Sequence, residues 1–361
     1  MKRVPLLIMG AGKVGRALVR QLLEAAAIHE ERDGLRPVVV AWCDRTGAVV
    51  DTDGLGPETL RATETAKAAG TPLAETPAGY HQDDLAAIVD VAGTDGCIVV
   101  DVTAGDETIP ALELALRRGY AAVTANKVPL TAAQSTFERL VGSGRFRYES
   151  TVGSAVPVIE ALRGLLRAND RIDAIEGALS GTLGFICTGL EAGRPFSALV
   201  AEAHERGYTE PDPRVDLGGM DVARKGLILA RTMGWRLEQA DVAVSSLVPP
   251  ELTGLPVGEF MARLPQLDAD FSTRAAAAAV EGKVLRYLAQ LRDGRVTVGL
   301  QPVSRDTALG RLRGNDNLVA FHTRYYPDEP LVLQGRGAGV DAAAAGAHAD
   351  LVALAQGALT R

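Results

Sequence analysis

The sequence is poor in the residues that mark several classes of protein. It holds only three cysteines in 361 residues, an odd number that is spread far apart. Disulfide-stapled secreted domains are rich in cysteine, so we interpret all three as packed thiols of a protein from the reducing cytoplasm. No cluster of cysteines and histidines has the spacing of zinc ligands. The five histidines are scattered, and we predict that they are exposed.

Long apolar runs and an excess of positive charge are also missing. No stretch reaches the roughly 18 apolar residues that cross a bilayer, and the first apolar run stops at Gly10, too early for a signal peptide. The net charge is −7, whereas a protein that binds a nucleic-acid duplex needs a basic face. We therefore expect neither a membrane nor nucleic acid as a partner.

Length and composition instead predict two globular domains. A chain of 361 residues exceeds the roughly 250–300 residues that a single core supports. Its hydrophobic content of 47% allows a sizeable core. We place a nucleotide-binding domain over 1–147 and a substrate-binding domain over 148–320. Residues from about 320 to 361 are expected to complete the first domain, because 334–339 has the character of a cofactor loop and 342–359 that of a closing helix.

The amino-terminal residues carry a dinucleotide-binding pattern. An apolar strand over 4–9 leads into G-x-G-x-x-G, and the spacing over 16–23 is helical, which is the order that this fingerprint requires. Gly10 permits the tight turn, Gly12 lets the backbone approach a pyrophosphate, and Gly15 lets helix and strand pack closely. The helix start adds free amide hydrogens. The predicted cofactor contacts in this loop are Gly10, Gly12, Lys13, Val14 and Gly15.

Further cofactor candidates follow later apolar strands. The second predicted strand ends at Asp44 and Arg45. An acid at this point favours NAD through the ribose hydroxyl, whereas an arginine favours the 2′-phosphate of NADP. Both are present, so the choice of cofactor stays open. Thr103 and Lys127 follow two further strands, at the edge where a parallel sheet binds ligands. The alternative for Lys127 is a surface lysine beside a helix.

The middle of the chain places acids and a lysine on a turn-rich segment. Strands and a helix alternate before it, over 146–152, 158–166 and 172–179. Asp221 and Lys225 are four residues apart on a predicted helix, so they share one face, and Glu210 and Asp216 precede them. The carboxylates could hold the ammonium of a ligand, and the lysine amine could move a proton. This combination predicts a site for a zwitterion. The alternative is a surface ion pair, which contributes only about 0.3–0.5 kcal/mol.

Several motifs together resemble the homoserine dehydrogenase family. They occur in the family's order, cover nearly the whole chain and include a long match of mixed composition. The length suggests the short form of the family, without a carboxy-terminal regulatory domain and without a fused aspartate kinase. The matching segments are 10–15, 124–127, 149–157, 180–183, 207–225, 314–317 and 334–339.

The resemblance implies an oxidoreductase of threonine and methionine biosynthesis. Its members interconvert L-homoserine and L-aspartate 4-semialdehyde with NAD or NADP. The implied fold is α/β, with a Rossmann-type nucleotide-binding domain and an α+β substrate-binding and dimerisation domain, in a cytoplasmic homodimer. Lys225 would be the acid/base group and Asp221 would position it. Lys127 would lie between nicotinamide and substrate, as a second candidate for proton transfer.

The resemblance also implies residues that bind ligands. Two acids would hold the substrate's polar groups, namely Glu210 and Asp216. Three further residues would line the pocket: Gly181, Thr182 and Tyr208. The cofactor would also approach Gly207 and Gly339. A monovalent cation, sodium or potassium, would bind the main-chain oxygens of Glu149, Val152, Ser154 and Val156.

Four positions depart from the family's pattern. Gly184 and Phe185 stand where an asparagine or serine and then a tyrosine are expected, which changes the polarity of the pocket. Ser154 replaces an alanine, which a main-chain ligand tolerates. Arg336 stands where a proline or alanine is common, beside the cofactor loop.

Two other functions stay open from the residues alone. One is another Rossmann oxidoreductase with an amino-acid-like substrate, such as an aspartate dehydrogenase or a semialdehyde dehydrogenase. The latter needs a nucleophilic cysteine, and Cys187 lacks a nearby histidine in the sequence. The other is a nucleotide-sensing module without chemistry. Such a module would keep the glycine loop but would not need Asp221 and Lys225 together.

Overall fold

The computed structural model describes residues 1–357, and the chain divides into two compact units. The first unit comprises Met1–Ala155 and the described chain from Gly339 onward, and the second comprises Val156–Ala338. The divisions fall later than the positions near 147 and 320 that we placed from the sequence. At the second boundary, the reason is that the last two strands of the described chain belong to the sheet of the second unit.

Six strands of the described chain form the sheet of the first unit. They are β1 Lys2–Met9, β2 Leu35–Asp44, β3 Gly47–Val50, β4 Ile98–Asp101, β5 Ala121–Thr124 and β6 Phe146–Arg147. Their order is β3-β2-β1-β4-β5-β6, and all neighbours are parallel except β2 and β3. The apolar residues of β1 and β4 are buried on both faces, as expected of parallel strands covered by helices.

Helices cover both faces of this sheet. They are α1 Lys13–Glu24, α2 Ala26–Ile28, α3 Pro57–Ala68, α4 Leu85–Ala92, α5 Ile109–Arg117, α6 Val128–Thr131 and α7 Gln134–Val141, with the last helix of the described chain, α16 Val340–Gly357. The core packs Leu18 of α1 and Leu351 of α16 against Ile8 and Val100 of the sheet. The closing helix predicted over 342–359 is therefore present, although its last two residues lie outside the described chain.

The strand predicted over 146–152 is wrong beyond its first two residues. The chain leaves the sheet after Arg147 and forms a 3₁₀ turn over Glu149–Thr151. The Glu149 N–H donates to Asp350 at 2.6 Å, and the Ser150 hydroxyl donates to the Ala343 oxygen at 2.8 Å. These polar groups are satisfied by α16 instead of by a neighbouring strand, and the local sequence does not identify so distant a partner.

Six further strands of the described chain form the sheet of the second unit. They are β7 Ile172–Ala178, β8 Ala243–Val244, β9 Lys283–Arg292, β10 Arg295–Ser304, β11 Asn317–Thr323 and β12 Tyr326–Gly335. Their order is β12-β11-β7-β9-β10-β8. All neighbours are antiparallel except β8 and β10. This mixture of helices and an antiparallel sheet has the α+β character predicted for the second half of the chain.

The helices of the second unit lie between these strands in sequence. They are α8 Val158–Arg167, α9 Gly181–Glu191, α10 Phe196–Glu205, α11 Arg214–Leu217, α12 Met220–Thr232, α13 Val257–Arg263, α14 Asp268–Val280 and α15 Ala308–Arg311. Helix α12 packs closely on the sheet at Gly226, where an added Cβ would lie 3.1 Å from Val296 and 3.4 Å from Ala289. The turn-rich segment predicted before this helix is also present, because α11 is a single turn between loops.

The three cysteines are free and buried, which confirms that they are packed thiols. Burial raises the pKa of Cys97 and of Cys187 to about 11. A thiol is a nucleophile only as the thiolate, so Cys187 does not suit the semialdehyde dehydrogenase alternative. Within residues 1–357, no helix combines the length and the apolar character that a bilayer crossing requires.

The expectation that all histidines are exposed is wrong for His29, and His322 and His348 are only partly exposed. This side chain is only 3% exposed, and its Nε2 lies 2.7 Å from Nε2 of His348 on α16. Its Nδ1 lies 2.9 Å from Asp33. The contact joins residues 319 positions apart, so nothing near His29 in the sequence could indicate it.

Candidate active site

Lys225 and Asp221 form an ion pair on one face of α12. The Lys225 ammonium lies 2.8 Å from Asp221 Oδ2 and donates to the main-chain oxygen of Leu179 at 2.6 Å. Lys225 is only 9% exposed, whereas the Asp221 side chain is 48% exposed. A surface ion pair would leave both charges in water. Burial of the ammonium at the end of a strand therefore argues against the surface alternative.

Asp216 lies at the centre of a second group of predicted substrate-binding residues. Its Oδ2 accepts a hydrogen bond from the Glu210 N–H at 2.8 Å. The Thr182 hydroxyl donates to the main-chain oxygen of Tyr208 at 2.6 Å and lies 3.2 Å from Asp216 Oδ1. Folding thus brings together the start of α9, the loop after α10 and the turn before α12.

Partial burial is the main influence on the pKa of Asp216. Loss of solvent raises the pKa of this carboxyl above its usual value, while the bonds from Glu210 N–H and Thr182 act in the opposite direction. The negative charges of Glu210 and Asp221 add to the rise. The charge of Asp221 therefore links the group around Asp216 to the ion pair of Asp221 and Lys225.

The first turn of α9 meets the loop that precedes β11. A Cβ on Gly181 would lie 3.0 Å from the Asn315 oxygen, and a Cβ on Gly184 would lie 3.0 Å from the Gly314 oxygen. The Gly314 N–H donates to the Thr188 hydroxyl at 3.2 Å. The unusual glycine at 184 therefore lets the backbone of this loop approach the predicted substrate site closely.

The unusual phenylalanine at 185 supports Tyr208. The two rings meet edge to face with their centres 5.5 Å apart, and the Arg206 guanidinium lies 5.6 Å from the Phe185 ring centre. Phe185 thus contributes packing rather than a hydroxyl. Tyr208 itself is 38% exposed, and it follows Gly207, which ends the turn after α10 with a φ of +68°.

In the first unit, the glycine loop has the geometry that its pattern predicts. Gly10 has a φ of +116°, and a Cβ on Gly15 would lie 1.9 Å from the Gly10 oxygen. Among residues 1–357, no atom lies within 4 Å of the Cβ position of Gly12 and no side chain caps α1, which begins with Lys13 and Val14. The first N–H groups of an uncapped helix are available to an anion.

Asp44 is held by a lysine that the sequence analysis missed. Its carboxylate lies 2.8 Å from the Lys67 ammonium and accepts bonds from the N–H and hydroxyl of Thr46. Burial acts to raise the pKa of Asp44, but the bonds from Lys67 and Thr46 outweigh it, so the pKa is lowered. Arg45 is exposed beside it. Lys67 lies on α3, and no local pattern links it to Asp44.

Thr103 and Lys127 lie at one edge of the first sheet. They follow β4 and β5, which are parallel, with Asp101 opposite Thr124. Thr103 donates through its N–H and its hydroxyl to Asp101 at 2.9 and 2.7 Å. Lys127 is partly buried and directly precedes α6.

Asp101 organises this edge, and the sequence analysis did not select it. It is fully buried, and its Oδ2 accepts further bonds from Thr108 at 2.9 Å and Asn126 at 3.2 Å. Burial raises the pKa of this carboxyl, and the bonds from Thr103, Thr108 and Asn126 oppose the rise. The available signal was a single acid at the end of an otherwise apolar strand.

The predicted cation ligands lie close together in sequence, around the division between the two units, and the last predicted cofactor contact, Gly339, lies far from them in sequence. Glu149, Val152 and Ser154 lie in the first unit, and Val156 is the first residue of the second. Gly339 opens the second stretch of the first unit with a φ of +130°. Within residues 1–357, no group of three or more His, Cys, Asp or Glu side chains is arranged to hold a metal ion. The predicted site uses main-chain oxygens, so it stays a prediction.

Comparison with known proteins identifies the family. A family profile described as homoserine dehydrogenase matches residues 157–352, more than half of the chain. A homoserine dehydrogenase of Emericella nidulans is 35% identical over 96% of this chain and 96% of its own length. The chain belongs to the homoserine dehydrogenase family. A bifunctional aspartokinase/homoserine dehydrogenase of Haemophilus influenzae is 37% identical over 98% of this chain, which spans only 43% of that relative's length.

Solved structures of homoserine dehydrogenases share the fold. A putative homoserine dehydrogenase from Archaeoglobus fulgidus aligns with a TM-score of 0.77 and 27% identity, over 97% of this chain and 98% of that chain. A hyperthermophilic archaeal homoserine dehydrogenase mutant in complex with NADPH aligns with a TM-score of 0.76 and 24% identity, over 97% of each chain. Together with the two sheets, these likenesses confirm the α/β fold class with its two kinds of sheet.

Proposed function

We propose that this protein interconverts L-homoserine and L-aspartate 4-semialdehyde with NAD or NADP. Membership of the homoserine dehydrogenase family supports this reaction. One observation in the chain carries it: the Lys225 ammonium is buried 2.8 Å from Asp221, whose charge in turn acts on the partly buried carboxyl of Asp216. An amine that is held at a fixed place beside acids suits proton transfer on an amino-acid substrate.

The acids and the lysine have separate tasks in this proposal. Asp216 and Glu210 hold the substrate's ammonium, because carboxylates bind it by charge-assisted hydrogen bonds. Lys225 faces the substrate's oxygen at C4, which is a hydroxyl in homoserine and a carbonyl in the aldehyde. Asp221 and the Leu179 oxygen hold the ammonium of Lys225 in place. As the aldehyde is reduced, Lys225 stabilises the developing alkoxide and donates a proton to it.

The residues of the first unit fit a dinucleotide. The open face at Gly12 and the uncapped start of α1 suit a pyrophosphate. Asp44, Lys67 and Arg45 bring both signs of charge to the end of β2. The NADPH described for a structure of the same fold supports a nicotinamide cofactor, which supplies or accepts the hydride when it is bound. We assign the first unit to the nucleotide and the second to the substrate.

A spectrophotometric assay tests the proposal. Purified protein is given homoserine with NAD or NADP, and the absorbance of the reduced nicotinamide is followed. We expect reduction with homoserine and none with L-serine, whose hydroxyl is one methylene closer to the ammonium. An absence of homoserine-dependent reduction with both cofactors would contradict the proposal.

The remaining expectations each have their own measurement. We propose a homodimer, which light scattering of the purified protein tests, and a cytoplasmic location, which fractionation of the source cells tests.

Lys127 stays a second candidate for proton transfer. A monovalent cation on the main-chain oxygens of Glu149, Val152, Ser154 and Val156 would suit the preference of hard cations for oxygen ligands. Turnover in sodium or potassium should then exceed turnover in tetramethylammonium.

A further inference from the structure

Asn317 is a buried asparagine whose side-chain oxygen has no partner among the described residues. The residue is 3% exposed. Its Nδ2 makes a long contact of 3.5 Å with the Gly337 oxygen, while no donor among residues 1–357 reaches its buried Oδ1. Buried acceptors are nearly always paired, and leaving one unpaired destabilises a fold. An exception of this kind in a protein with a ligand site calls for an explanation.

The register of the second sheet places Asn317 beside the partner of Lys225. Asn317 is the first residue of β11, where Leu318 is paired with Ala178 of β7. Asn317 therefore lies level with Leu179, the next residue after β7. The main-chain oxygen of Leu179 accepts the hydrogen bond from the Lys225 ammonium at 2.6 Å.

The side chain of Asn317 also lies on the face of the sheet that α12 covers. Side chains alternate along a strand, so Asn317 shares its face with Val319. Val319 is paired with Gly177, and Gly177 is paired with Ala289. Ala289 is the residue against which Gly226 of α12 packs. Asn317 and Lys225 thus belong to one layer of the second unit.

Gly337 fixes the orientation of the Asn317 amide. A Cβ on Gly337 would lie 1.9 Å from both Cγ and Nδ2 of Asn317, so only glycine admits this contact. The Gly337 oxygen faces Nδ2. Turning the amide over would bring two oxygens together, and Oδ1 is therefore held pointing away from Gly337.

We infer that Asn317 Oδ1 accepts a hydrogen bond from an N–H donor of a bound ligand. The inference rests on the proposed function, which brings two such donors to this protein. One is the ammonium of the amino-acid substrate, and the other is the carboxamide of the nicotinamide. In both cases the ligand would satisfy an acceptor that the fold leaves unpaired, so Asn317 contributes to binding at a cost to the stability of the free protein.

A second buried asparagine shows what a purely structural role looks like. Asn126 is also 3% exposed. Its oxygen accepts from the Val128 N–H at 3.0 Å, and its Nδ2 reaches Asp101, Thr103 and Gly105. Every polar atom of that amide is used by the protein. The same substitution should therefore lower stability at Asn126 but not at Asn317.

The test compares Asn317→Leu with Asn126→Leu, in both cases in the full chain. Leucine has nearly the shape of asparagine and no polar atoms. We expect Asn126→Leu to lower the Tm by several degrees. Asn317→Leu should leave the Tm equal to that of the parent or raise it, and should raise the KM for one ligand. The rise should be about 10- to 100-fold for a charged donor and about 2- to 10-fold for a neutral one.

The two sources of the donor are separated by a cofactor analogue. The 3-acetylpyridine analogue of NAD(P) has a methyl group in place of the carboxamide nitrogen. If the donor is the carboxamide, Asn317→Leu raises the KM for the normal cofactor but not for the analogue. If the donor is the substrate ammonium, the KM for homoserine rises to the same extent with either cofactor. Either result supports the inference.

Unchanged KM values for homoserine and cofactor in Asn317→Leu would overturn the inference, whatever the Tm. A normal Tm would then mean that solvent satisfies Oδ1, and a lowered Tm that Asn317 is structural. Should Asn317→Leu not fold, Asn317→Ala, which adds no bulk, provides the same comparison. Ligand binding is followed by thermal shift alongside turnover. A parent that binds both ligands without turnover would contradict only the proposed reaction, and a parent that binds neither would contradict both.

Discussion

At the scale of single residues, the contacts of Lys225 define what its ammonium does. An ammonium has three N–H donors, and within residues 1–357 two of them are directed at Asp221 and the Leu179 oxygen. We propose that the third binds the substrate. Because Asp221 is half-exposed, water can solvate it when Lys225 is removed. Variants at Lys225 should therefore fold, which makes their kinetics interpretable.

The charges at the end of β2 predict how the cofactors are distinguished. Arg45→Ala should weaken binding of NADP more than that of NAD, because an exposed arginine at this point suits a 2′-phosphate. Lys67→Met should also weaken binding of NADP more than that of NAD, since it leaves the Asp44 carboxylate without the cation that lies 2.8 Å away. The KM values for both cofactors measure this.

The exposed Arg36 on β2 offers a matched control, and Arg36→Ala should change neither KM. Equal losses for NAD and NADP in Arg45→Ala would show that this side chain is not at the 2′-phosphate.

Sequence patterns found the residues with local signatures and missed those without one. Asp221 and Lys225 were found because a separation of four residues is visible in the sequence. The Leu179 oxygen belongs to the main chain and has no signature. Lys67 meets Asp44 only because α3 folds back over the strand end, and Asp101 was hidden among apolar neighbours.

At the scale of elements, Arg286 ties the loop before β11 to the rest of the second unit. It is 1% exposed and donates to the main-chain oxygens of Leu309, Gly310 and Leu312 at 2.9–3.0 Å. Its guanidinium also pairs with Glu191 at the end of α9, at 2.9 Å. The residues that follow this anchor pass the start of α9, where the predicted substrate site lies.

Removing this anchor should affect both stability and substrate binding. Arg286→Met leaves three carbonyl oxygens without their buried donor, and each buried acceptor left unpaired costs about 1–3 kcal/mol. Glu191 loses one cation but keeps Arg305 and Arg313 at 3.1 and 3.0 Å. We expect a lower Tm. Because the loop that contacts Gly181 is loosened, the KM for homoserine should rise more than the KM for the cofactor.

Arg292→Met, at the exposed end of the same strand, should leave both quantities unchanged. A lower Tm with an unaltered KM would restrict Arg286 to a structural role.

Elements with a strong repeating pattern were predicted well, and those that depend on distant partners were not. The glycine turn and α1 follow from neighbouring residues. Residues 149–151 were predicted as part of a strand, but their hydrogen bonds go to Asp350 and Ala343 on α16. A partner some 200 residues away decides its conformation, and the local pattern does not contain that information.

At the scale of the whole molecule, the pair of His29 and His348 links an early helical turn to the last described helix. Burial, and then the charges of His29 and Arg32, lower the pKa of His348 to about 4. The Asp33 carboxylate accepts a hydrogen bond from Nδ1 of His29. The two Nε2 atoms of His29 and His348 therefore share a single proton between them. The pair helps to hold α16 in the first unit as long as His348 is neutral.

This pair makes stability depend on pH in a defined window. A histidine in the unfolded chain has a pKa of about 6.5. Between that value and the folded pKa of about 4, the unfolded chain binds a proton that the folded chain does not. Stability therefore falls as the pH falls through this window, by on the order of 3 kcal/mol in total.

Unfolding by denaturant at a series of pH values measures the effect. His348→Gln should reduce the fall in stability between pH of about 6.5 and 4, and His81→Gln, at an exposed histidine, should not. A fall of the same size in parent and His348→Gln would assign the pH dependence to other groups.

The turnover number of Lys225→Ala is the most direct test of the proposed active site. A positioned acid/base group contributes about 10²–10⁴-fold in rate, so kcat should fall by about that factor while cofactor affinity changes little. Asp221→Ala should also lower kcat, and the two losses should be less than additive because one residue positions the other. Lys283→Ala, a lysine paired with Glu281, serves as the control and should keep normal kcat. Near-normal kcat in Lys225→Ala, with turnover lost instead in Lys127→Ala, would contradict the role assigned to Lys225.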